Sequence, residues 1–177
     1  QDEWKLANDW ELTAGVRYDD YSDFGGTVNP RAALVWAAGY NLTAKFLYGQ
    51  AFRPPSAQEL FIKNNPVISG NKLLDQEEID TYELAFDYSP SLDVNTRLNI
   101  YYYNIDDLIE FTATGPGPAV AMNAGEQRGK GLELEVEWDI ANNVDLYVNF
   151  AHQDSVNKKT DTDVANTAGD QLYMRLD

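Results

Sequence analysis

The chain has 177 residues, a length typical of one domain, and 44% of them are hydrophobic, so it can bury a core. Its formal charge of −16 argues against nucleic acid as a partner, because phosphates require facing Lys and Arg side chains. The absence of Cys excludes disulfide scaffolds, cysteine metal sites and thiol nucleophiles.

Period-two alternation of apolar and polar residues dominates the chain. In the run Trp10–Tyr18 the even positions are apolar and the odd positions are polar or small, which predicts a strand with one apolar face. Seven further runs repeat the pattern: Ala32–Trp36, Leu42–Tyr48, Tyr82–Tyr88, Val94–Tyr102, Leu132–Trp138, Val144–Phe150 and Leu172–Leu176. Trp4–Leu6 is predicted to close a preceding strand. The sequence therefore predicts an all-β fold, an antiparallel up-and-down meander of about 8–9 strands.

Short and long connections alternate between the predicted strands. Short ones fall near Ala7–Asp9, Ala38–Asn41, Ser89–Asp93 and Ile140–Asn143, and long ones at Asp19–Pro30, Arg53–Asp80, Thr112–Lys130 and His152–Asp170. Outer-membrane β-barrels have this asymmetry, with short periplasmic turns and long extracellular loops. A soluble sandwich shares the alternation within strands but has no reason to place every long loop at one end.

Aromatic residues occupy both ends of the apolar faces, and the positions between them are mostly aliphatic. Near the short connections lie Trp10, Trp36, Tyr88 and Trp138, and near the long ones lie Tyr18, Tyr48, Tyr82, Tyr102 and Phe150. Trp and Tyr favour membrane–water interfaces because each ring is partly apolar and partly polar. The pattern predicts two aromatic belts around a lipid-facing band. The alternative is that these rings belong to an ordinary apolar core.

Strand length agrees with a membrane barrel. A tilted strand needs about 9–11 residues to cross a bilayer, and Val94–Asp106 and Leu42–Phe52 reach that length. No run approaches the roughly 20 apolar residues of a membrane helix. That hydropathy test does not detect barrels, because their strands alternate.

Five segments resemble, in order, segments of one known family. The clearest is Phe52–Phe61, which reads Phe-Arg-Pro-Pro-Ser-Ala-Gln-Glu-Leu-Phe. The others are Arg17–Asp19 with Asn29–Arg31, Gly70–Leu84, Tyr103–Ile109 and Asn123–Glu133. Together they resemble the barrel of TonB-dependent outer-membrane receptors. Lys72 and Gln76 stand where the family has prolines, so this loop is expected to be less rigid.

The resemblance implies a plugged barrel of about 22 strands. Residues 1–177 are expected to form a partial barrel domain, with the plug domain and the last strands outside the chain. The implied function is active uptake of a ferric siderophore or similar metal chelate, which extracellular loops bind and an inner-membrane TonB complex energises through the plug. Expected partners are that small ligand, outer-membrane lipid and the TonB complex, in the outer membrane of a Gram-negative cell. No cofactor is expected.

Two alternatives stay open at this point. One is a barrel that binds or adheres without transport, and the other is a haem or cobalamin receptor of the same family. Haem receptors of the family carry a histidine in the segment corresponding to Arg53–Asp80, which has none here.

An open sheet leaves unpaired edges and a bare apolar face. The isolated chain is therefore expected to curl up or self-associate.

Ligand contacts are expected on or beside Arg53–Asp80. The candidates are Arg53, Gln58, Phe61, Lys63, Asn64 and Asn65. A cation over an aromatic ring would suit an anionic, ring-rich iron chelate. Alternatively, Arg53 and Glu59 only brace the loop.

The acidic and histidine positions predict no catalysis. Glu133, Glu135 and Glu137 lie along one strand about 7 Å apart rather than across a cleft, which favours a wet lumen wall or a plug-contacting surface. His152, the only histidine, is expected to be a surface or lumen residue, with ligand contact as the alternative. A single histidine without a nearby nucleophile motif predicts that the protein is not an enzyme.

No metal site is predicted. Asp19, Asp20 and Asp23 are expected to form a solvated turn rather than a calcium site, because the spacing lacks the glycine and final Glu of a calcium-binding loop. Gly125, Gly129 and Gly131 precede no helix and are expected to mark strand-end bends or bulges.

Overall fold

The computed structural model describes residues 1–22, 25–165 and 169–177. The described strands are β1 (Asp2–Lys5), β2 (Trp10–Tyr21), β3 (Gly25–Ala37), β4 (Leu42–Arg53), β5 (Ile68–Ser69), β6 (Glu77–Ser91), β7 (Val94–Thr112), β8 (Ala119–Ala141), β9 (Val144–Asn157), β10 (Thr162–Asp163) and β11 (Asp170–Leu176). One short helix, α1 (Ala57–Phe61), lies between β4 and β5. It is too short to cross a membrane, and no described helix has the required length and apolarity.

All the strands belong to one sheet, and the predicted antiparallel meander is confirmed. The order is β1-β2-β3-β4-β6-β7-β8-β9, and β11 pairs with the far edge of β9. β10 extends that edge, because it pairs with the end of β9 beyond the part paired with β11. β5 lies parallel to the first residues of β8. The two-residue strands β5 and β10 therefore supplement nine strands of the main sheet.

Three predicted long loops are largely strand, so that part of the prediction is wrong. β2 continues to Tyr21 and β3 begins at Gly25, β8 begins at Ala119, and β9 ends at Asn157. The alternation is lost at several of these strand ends, as at Asp19–Asp20, where both faces are acidic, and at Ala119–Met122, where both are apolar, so these ends resemble loops in the sequence. Arg53–Asp80 retains a long connection, 54–76.

The register keeps the apolar positions of neighbouring strands on one face. Trp10 lies opposite Trp36, with stacked rings whose centroids are 5.2 Å apart. Tyr48, Tyr82 and Tyr102 form one cross-strand row, with successive centroid distances of 5.1 and 6.4 Å. The other face is polar, because side chains alternate along every strand.

Few large apolar side chains are buried. The buried hydrophobic cluster consists of Leu60, Leu74 and Ala121, beneath the connection 54–76. In contrast, Val16 on the sheet is 68% exposed and Tyr82 is 43% exposed. No second layer covers the apolar face among the described residues. An apolar face of this extent requires a non-aqueous neighbour.

Candidate functional site

The connection 54–76 is fixed at its start by Arg53. Its guanidinium donates two hydrogen bonds of 2.5 Å to Glu77 on β6 and two of 3.1 Å to Glu59 in α1. Ser56 caps α1, because its hydroxyl accepts from the Glu59 N–H while the Glu59 carboxylate accepts from the Ser56 N–H. Glu77 is buried and also accepts the backbone N–H of Ile109. We call these three side chains, Arg53, Glu59 and Glu77, the clamp. The clamp ties β4, α1, β6 and β7 together.

The electrostatics of the clamp favour its ionised form. Burial by itself would raise the pKa of Glu59, but hydrogen bonds from Arg53 and Ser56 outweigh burial and lower that pKa. The hydrogen bonds to Glu77 and then Glu59 raise the pKa of Arg53. A charge-assisted, bidentate arrangement of this kind is stronger and more directional than a neutral hydrogen bond.

The remainder of the connection packs onto the ends of β7 and β8. Leu60 and Leu74 bury against Ala121, and the side chain of Asn71 donates to the Ala121 carbonyl at 3.1 Å. Gly70 approaches α1 so closely that a Cβ there would lie 2.8–2.9 Å from backbone atoms of Leu60 and Ile62. The connection is therefore a packed structure despite the two missing prolines.

The six predicted ligand residues divide into two groups. Arg53 is engaged in the clamp, and the Asn65 side chain accepts the N–H groups of Val67 and Ile68 at the turn that follows. The other four are exposed on the surface of the connection: Gln58, Phe61, Lys63 and Asn64. Asn64 adopts a left-handed backbone conformation, with φ of 57°.

The cation that lies over an aromatic ring is Lys72, which was not among the six candidates. The Lys72 ammonium lies 5.4 Å from the centroid of the Phe61 ring, within cation–π distance. Phe61 remains 46% exposed. Sequence reasoning missed Lys72, because no local pattern reveals that residues 61 and 72 meet.

A second feature that sequence reasoning missed is a tyrosine wall on the polar face of β7–β9. Tyr101 lies opposite Gly131 and Tyr103 opposite Gly129, in a part of the ladder without a register shift. Each ring lies over its glycine, where a Cβ would overlap it. The hydroxyl of Tyr103 contacts the hydroxyl of Ser155 at 2.8 Å and accepts from the Gln127 amide at 2.8 Å.

The tyrosine wall corrects the interpretation of two glycines. Gly129 and Gly131 lie within a regular ladder and make room for rings, so the predicted bend or bulge is wrong there. Gly125 does lie beside a register shift between β7 and β8. Only the facing residues on β7 distinguish these cases, and a single strand's sequence does not reveal them.

The acidic stripe lies below the tyrosine wall on the same polar face. Arg97 binds Glu135 and lies 3.7 Å from Glu137, and the Tyr147 hydroxyl donates to Glu135 at 2.7 Å. These carboxylates share cations and donors along the sheet rather than facing one another across a cleft. No cluster of potential metal ligands occurs among the residues that the structure describes.

The remaining candidates lie apart from these features. His152 is on the apolar side of β9, opposite Leu132 and Asp170, and its Nδ1 lies 2.7 Å from an Asp170 oxygen. Asp19 is in β2 and pairs with Arg17 at 2.7 Å. Asp20 is exposed near the end of β2, and Asp23 lies outside the described residues.

Comparison with known proteins assigns the family. Residues 1–175 match the family described as TonB dependent receptor-like, beta-barrel. The chain belongs to this family. A vitamin B12 transporter of Vibrio cholerae is 29% identical over 136 residues, which cover 77% of this chain and 21% of the transporter. An iron-regulated outer membrane virulence protein of the same species is 26% identical over 175 residues, 89% of this chain and 27% of that protein.

A solved structure of the same architecture agrees with this assignment. The ferric enterobactin receptor of Pseudomonas aeruginosa superposes with a TM-score of 0.84 at 22% identity, over 97% of this chain and 28% of that receptor. This TonB-dependent receptor barrel thus spans about a quarter of the length of such relatives. The chain is a segment of transmembrane β-barrel in the outer membrane of Gram-negative bacteria. Its apolar face meets lipid and its polar face lines the lumen.

Proposed function

We propose that the whole protein is an outer-membrane receptor for active uptake of a ferric siderophore or similar metal chelate. The observation that carries this proposal is the clamped connection 54–76, which holds an exposed aromatic ring and cations on a packed support. In the proposal, Gln58, Phe61, Lys63 and Asn64 contact the ligand, Lys72 joins them, and Arg53 and Asn65 hold the loop. An inner-membrane TonB complex supplies energy through a plug domain outside residues 1–177, which form a partial barrel domain.

Growth on defined nutrients tests this function. Deletion of the full-length gene should abolish growth on one ferric chelate as sole iron source, and the intact gene should restore it. The variant Phe61→Ala should weaken uptake of that chelate, whereas Leu92→Ala, in the short turn at the opposite end of the strands, should not. Unchanged growth on every iron source would remove iron from the proposal.

Cobalamin uptake is the second candidate, because one relative bears the name of a vitamin B12 transporter. The same deletion strain, made dependent on external vitamin B12, separates the two candidates. Loss of growth on vitamin B12 with normal growth on all iron chelates would favour cobalamin.

The predicted aromatic belts belong to this proposal, and the sheet register supports them. The row containing Tyr48, Tyr82 and Tyr102 passes through Ala14 on β2 and Asp154 on β9. Tyr18 lies four residues from that row toward the end of the strands with the long connections, which is here the upper end. Phe150 lies four residues from the row toward the lower end, where the short turns are. The aromatic belt near the long connections, the upper belt, therefore does not follow one hydrogen-bonded row. Its position shifts toward the lower end of the strands from β2 to β9.

The lower belt descends in the same direction. The row containing Trp10 and Trp36 passes through Phe86 and Leu134. Tyr88 lies two residues below it and Trp138 four residues below it. Strands of a barrel tilt by about 35–45° from the axis, so a level interface must cross their rows obliquely. Two belts that descend together are expected of lipid interfaces, whereas a randomly packed core has no such requirement.

We also propose that residues 1–177, when produced alone, curl into a smaller closed form or self-associate. β1 and β11 form the edges of the main sheet and are exposed throughout. Unpaired edges recruit further strands, and the apolar face seeks cover in water. Scattering in detergent-free buffer should show a compact particle or oligomers, and an extended monomer would refute this expectation.

A further inference from the structure

The contact between Lys72 and Phe61 is fixed by the backbone of the connection 54–76. The N–H groups of Gly70 and Asn71 donate to carbonyl groups at the end of α1, at 2.9 and 2.8 Å. Phe61 is the last residue of α1, and Lys72 directly follows the two residues that these bonds hold. The Lys72 ammonium lies 5.4 Å from the centroid of the Phe61 ring. The cation and the ring are therefore brought together by the fold of the connection, not only by two flexible side chains.

The backbone on either side of Lys72 is held as well. The Asn71 side-chain oxygen accepts the N–H of Leu73 at 2.9 Å, which closes a turn around Lys72. The same Asn71 side chain donates to the Ala121 carbonyl at 3.1 Å and so attaches the turn to β8. Lys72 stands where the family that this segment resembles has a proline. The cation is thus a property of this chain rather than of the shared segment.

Lys63 and Lys72 differ from most cations of this acidic chain, because no carboxylate is seen to neutralise them. The chain has 13 Lys and Arg residues against 29 Asp and Glu. In the described structure nine of the 13 lie within 4 Å of a carboxylate. Lys63 and Lys72 are two of the other four, and both are exposed. Of the two acidic residues in the connection, Glu59 is bound by Arg53, which leaves two lysines against Asp75.

The Phe61 ring has room for a second partner besides Lys72, because it is 46% exposed. Aromatic rings attract one another in stacked or edge-to-face arrangements. A ligand ring that lies against Phe61 places its substituents near the Lys72 ammonium, which is a compact charge with three donors. A catecholate is an aromatic ring with two adjacent phenolate oxygens. Its iron(III) tris-chelate is an anion, because the phenolate oxygens carry more charge than the iron offsets.

We propose that the connection 54–76 selects iron chelates of the catecholate class and that Lys72 determines this selectivity. A catecholate ring stacks against Phe61, and the Lys72 ammonium donates charge-assisted hydrogen bonds to its phenolate oxygens. Lys63, two residues along the chain from Phe61, adds positive charge. Citrate chelates have the charge without the ring, and uncharged hydroxamate chelates have neither. This inference rests on the proposed receptor function and adds a ligand class to it.

Equilibrium binding to the purified full-length receptor in detergent tests the selectivity. The probes are the iron(III) complexes of a synthetic tris-catecholate, of citrate and of an uncharged tris-hydroxamate. Wild type should bind the tris-catecholate about tenfold or more tightly than either comparison chelate. Lys72→Gln should weaken tris-catecholate binding about tenfold, because a hydrogen bond to a charged group is lost. The same variant should leave tris-hydroxamate binding unchanged, and Lys72→Arg should keep most of the tris-catecholate affinity.

Two controls separate recognition from a merely structural role of Lys72. Lys5→Gln removes the same charge from an exposed lysine at the end of the strands with the short turns, and it should bind all three chelates as wild type does. Higher ionic strength should weaken tris-catecholate binding by wild type more than by Lys72→Gln, because salt screens exposed charges. A residue that only supports the connection would not produce this difference.

Several results would overturn the selectivity. Equal tris-catecholate binding by Lys72→Gln and wild type would refute the role of Lys72. An equal loss for all three chelates would mean that the substitution disturbs the connection as a whole. Binding of citrate or hydroxamate chelates in preference to the tris-catecholate would leave the receptor function standing and remove the catecholate class. Failure to bind any of these chelates, together with normal growth of the deletion strain on every iron source, would remove both proposals.

Discussion

The lumen-facing side contains two places where a long side chain lies over a glycine of the neighbouring strand. In β7–β9, Tyr103 lies over Gly129 and its hydroxyl meets both Ser155 and Gln127. In β2–β3, Arg31 passes over Gly15. In both places the glycine leaves room for the side chain that crosses it.

The two places differ in how completely their polar groups are paired. The tyrosine wall is uncharged and continuous with a paired ladder, and Ser155 within it is buried and hydrogen-bonded. Beside Arg31 the sheet opens and the Asn29 oxygen has no partner in the described structure. A paired wall contributes more stability than a region in which a buried oxygen lacks a donor. Substitutions in the tyrosine wall should therefore cost more stability than substitutions beside Arg31.

A larger residue at Gly131 should cause the largest loss of stability among the substitutions described. A Cβ there would lie 2.5 Å from the His152 carbonyl oxygen and from the Tyr101 hydroxyl, so backbone and ring must both move. Gly131→Ala should lower the free energy of unfolding of the full-length receptor by about 2–3 kcal/mol, as overpacking does. Denaturant titration in detergent measures it. Gly49→Ala is the matched control, because a Cβ at Gly49 meets nothing within 4 Å. Equal stability of the two variants would contradict the packing of the wall.

Removal of one hydroxyl should produce a smaller loss. Tyr103→Phe keeps the ring over Gly129 but breaks the contacts with Ser155 and Gln127. The expected loss is about 1 kcal/mol of unfolding free energy. Tyr102→Phe controls for the hydroxyl itself, since no hydrogen bond of the Tyr102 side chain is seen in the described structure. A loss in Tyr102→Phe as large as in Tyr103→Phe would mean that the network adds no stability.

The meander could be predicted from sequence because each strand carries its own alternation. The register then follows, because a slip of one residue would turn apolar side chains such as Leu34 and Leu84 to the wrong face. Strand ends were not predictable where both faces are polar, as beyond Tyr18. There alternation disappears although hydrogen bonding continues.

The candidate site was predictable only in part. The segment Arg53–Asp80 stood out by resemblance, and the capping box of Ser56 and Glu59 is legible in the sequence. The Phe61–Lys72 pair and the tyrosine wall depend on contacts between distant residues. The opening of the sheet beside Arg31 depends on where two strands part, which no pattern within either strand encodes.

Substitution of Asn29 should scarcely change stability, in contrast to Tyr103. Asn29→Leu replaces a buried amide, one of whose polar atoms lacks a partner, by an apolar group of similar shape. The expected loss of unfolding free energy is about 0.5 kcal/mol, because the variant gives up only the long 3.5 Å hydrogen bond from the Asn29 amide to the buried Thr27 hydroxyl. A stability loss matching that of Tyr103→Phe would mean that the Asn29 amide is already well paired.

Acidification should destabilise the clamp but not the tyrosine wall. Of the tests described, it should change the stability of the whole protein least. The pKa of Glu59 is lowered in the folded protein, so its contribution to stability is complete above the ordinary carboxyl pKa and is lost as pH falls through the lowered value. Hydrogen exchange in the connection 54–76 should therefore accelerate on acidification. The hydrogen bonds of Tyr103 with Gln127 and Ser155 involve no carboxylate, so the backbone amides of these three residues should stay protected over the same range. Glu59→Gln should make exchange in the connection fast already at neutral pH and remove its dependence on acid. A pH response in the variant equal to that of wild type would assign the effect to another carboxylate.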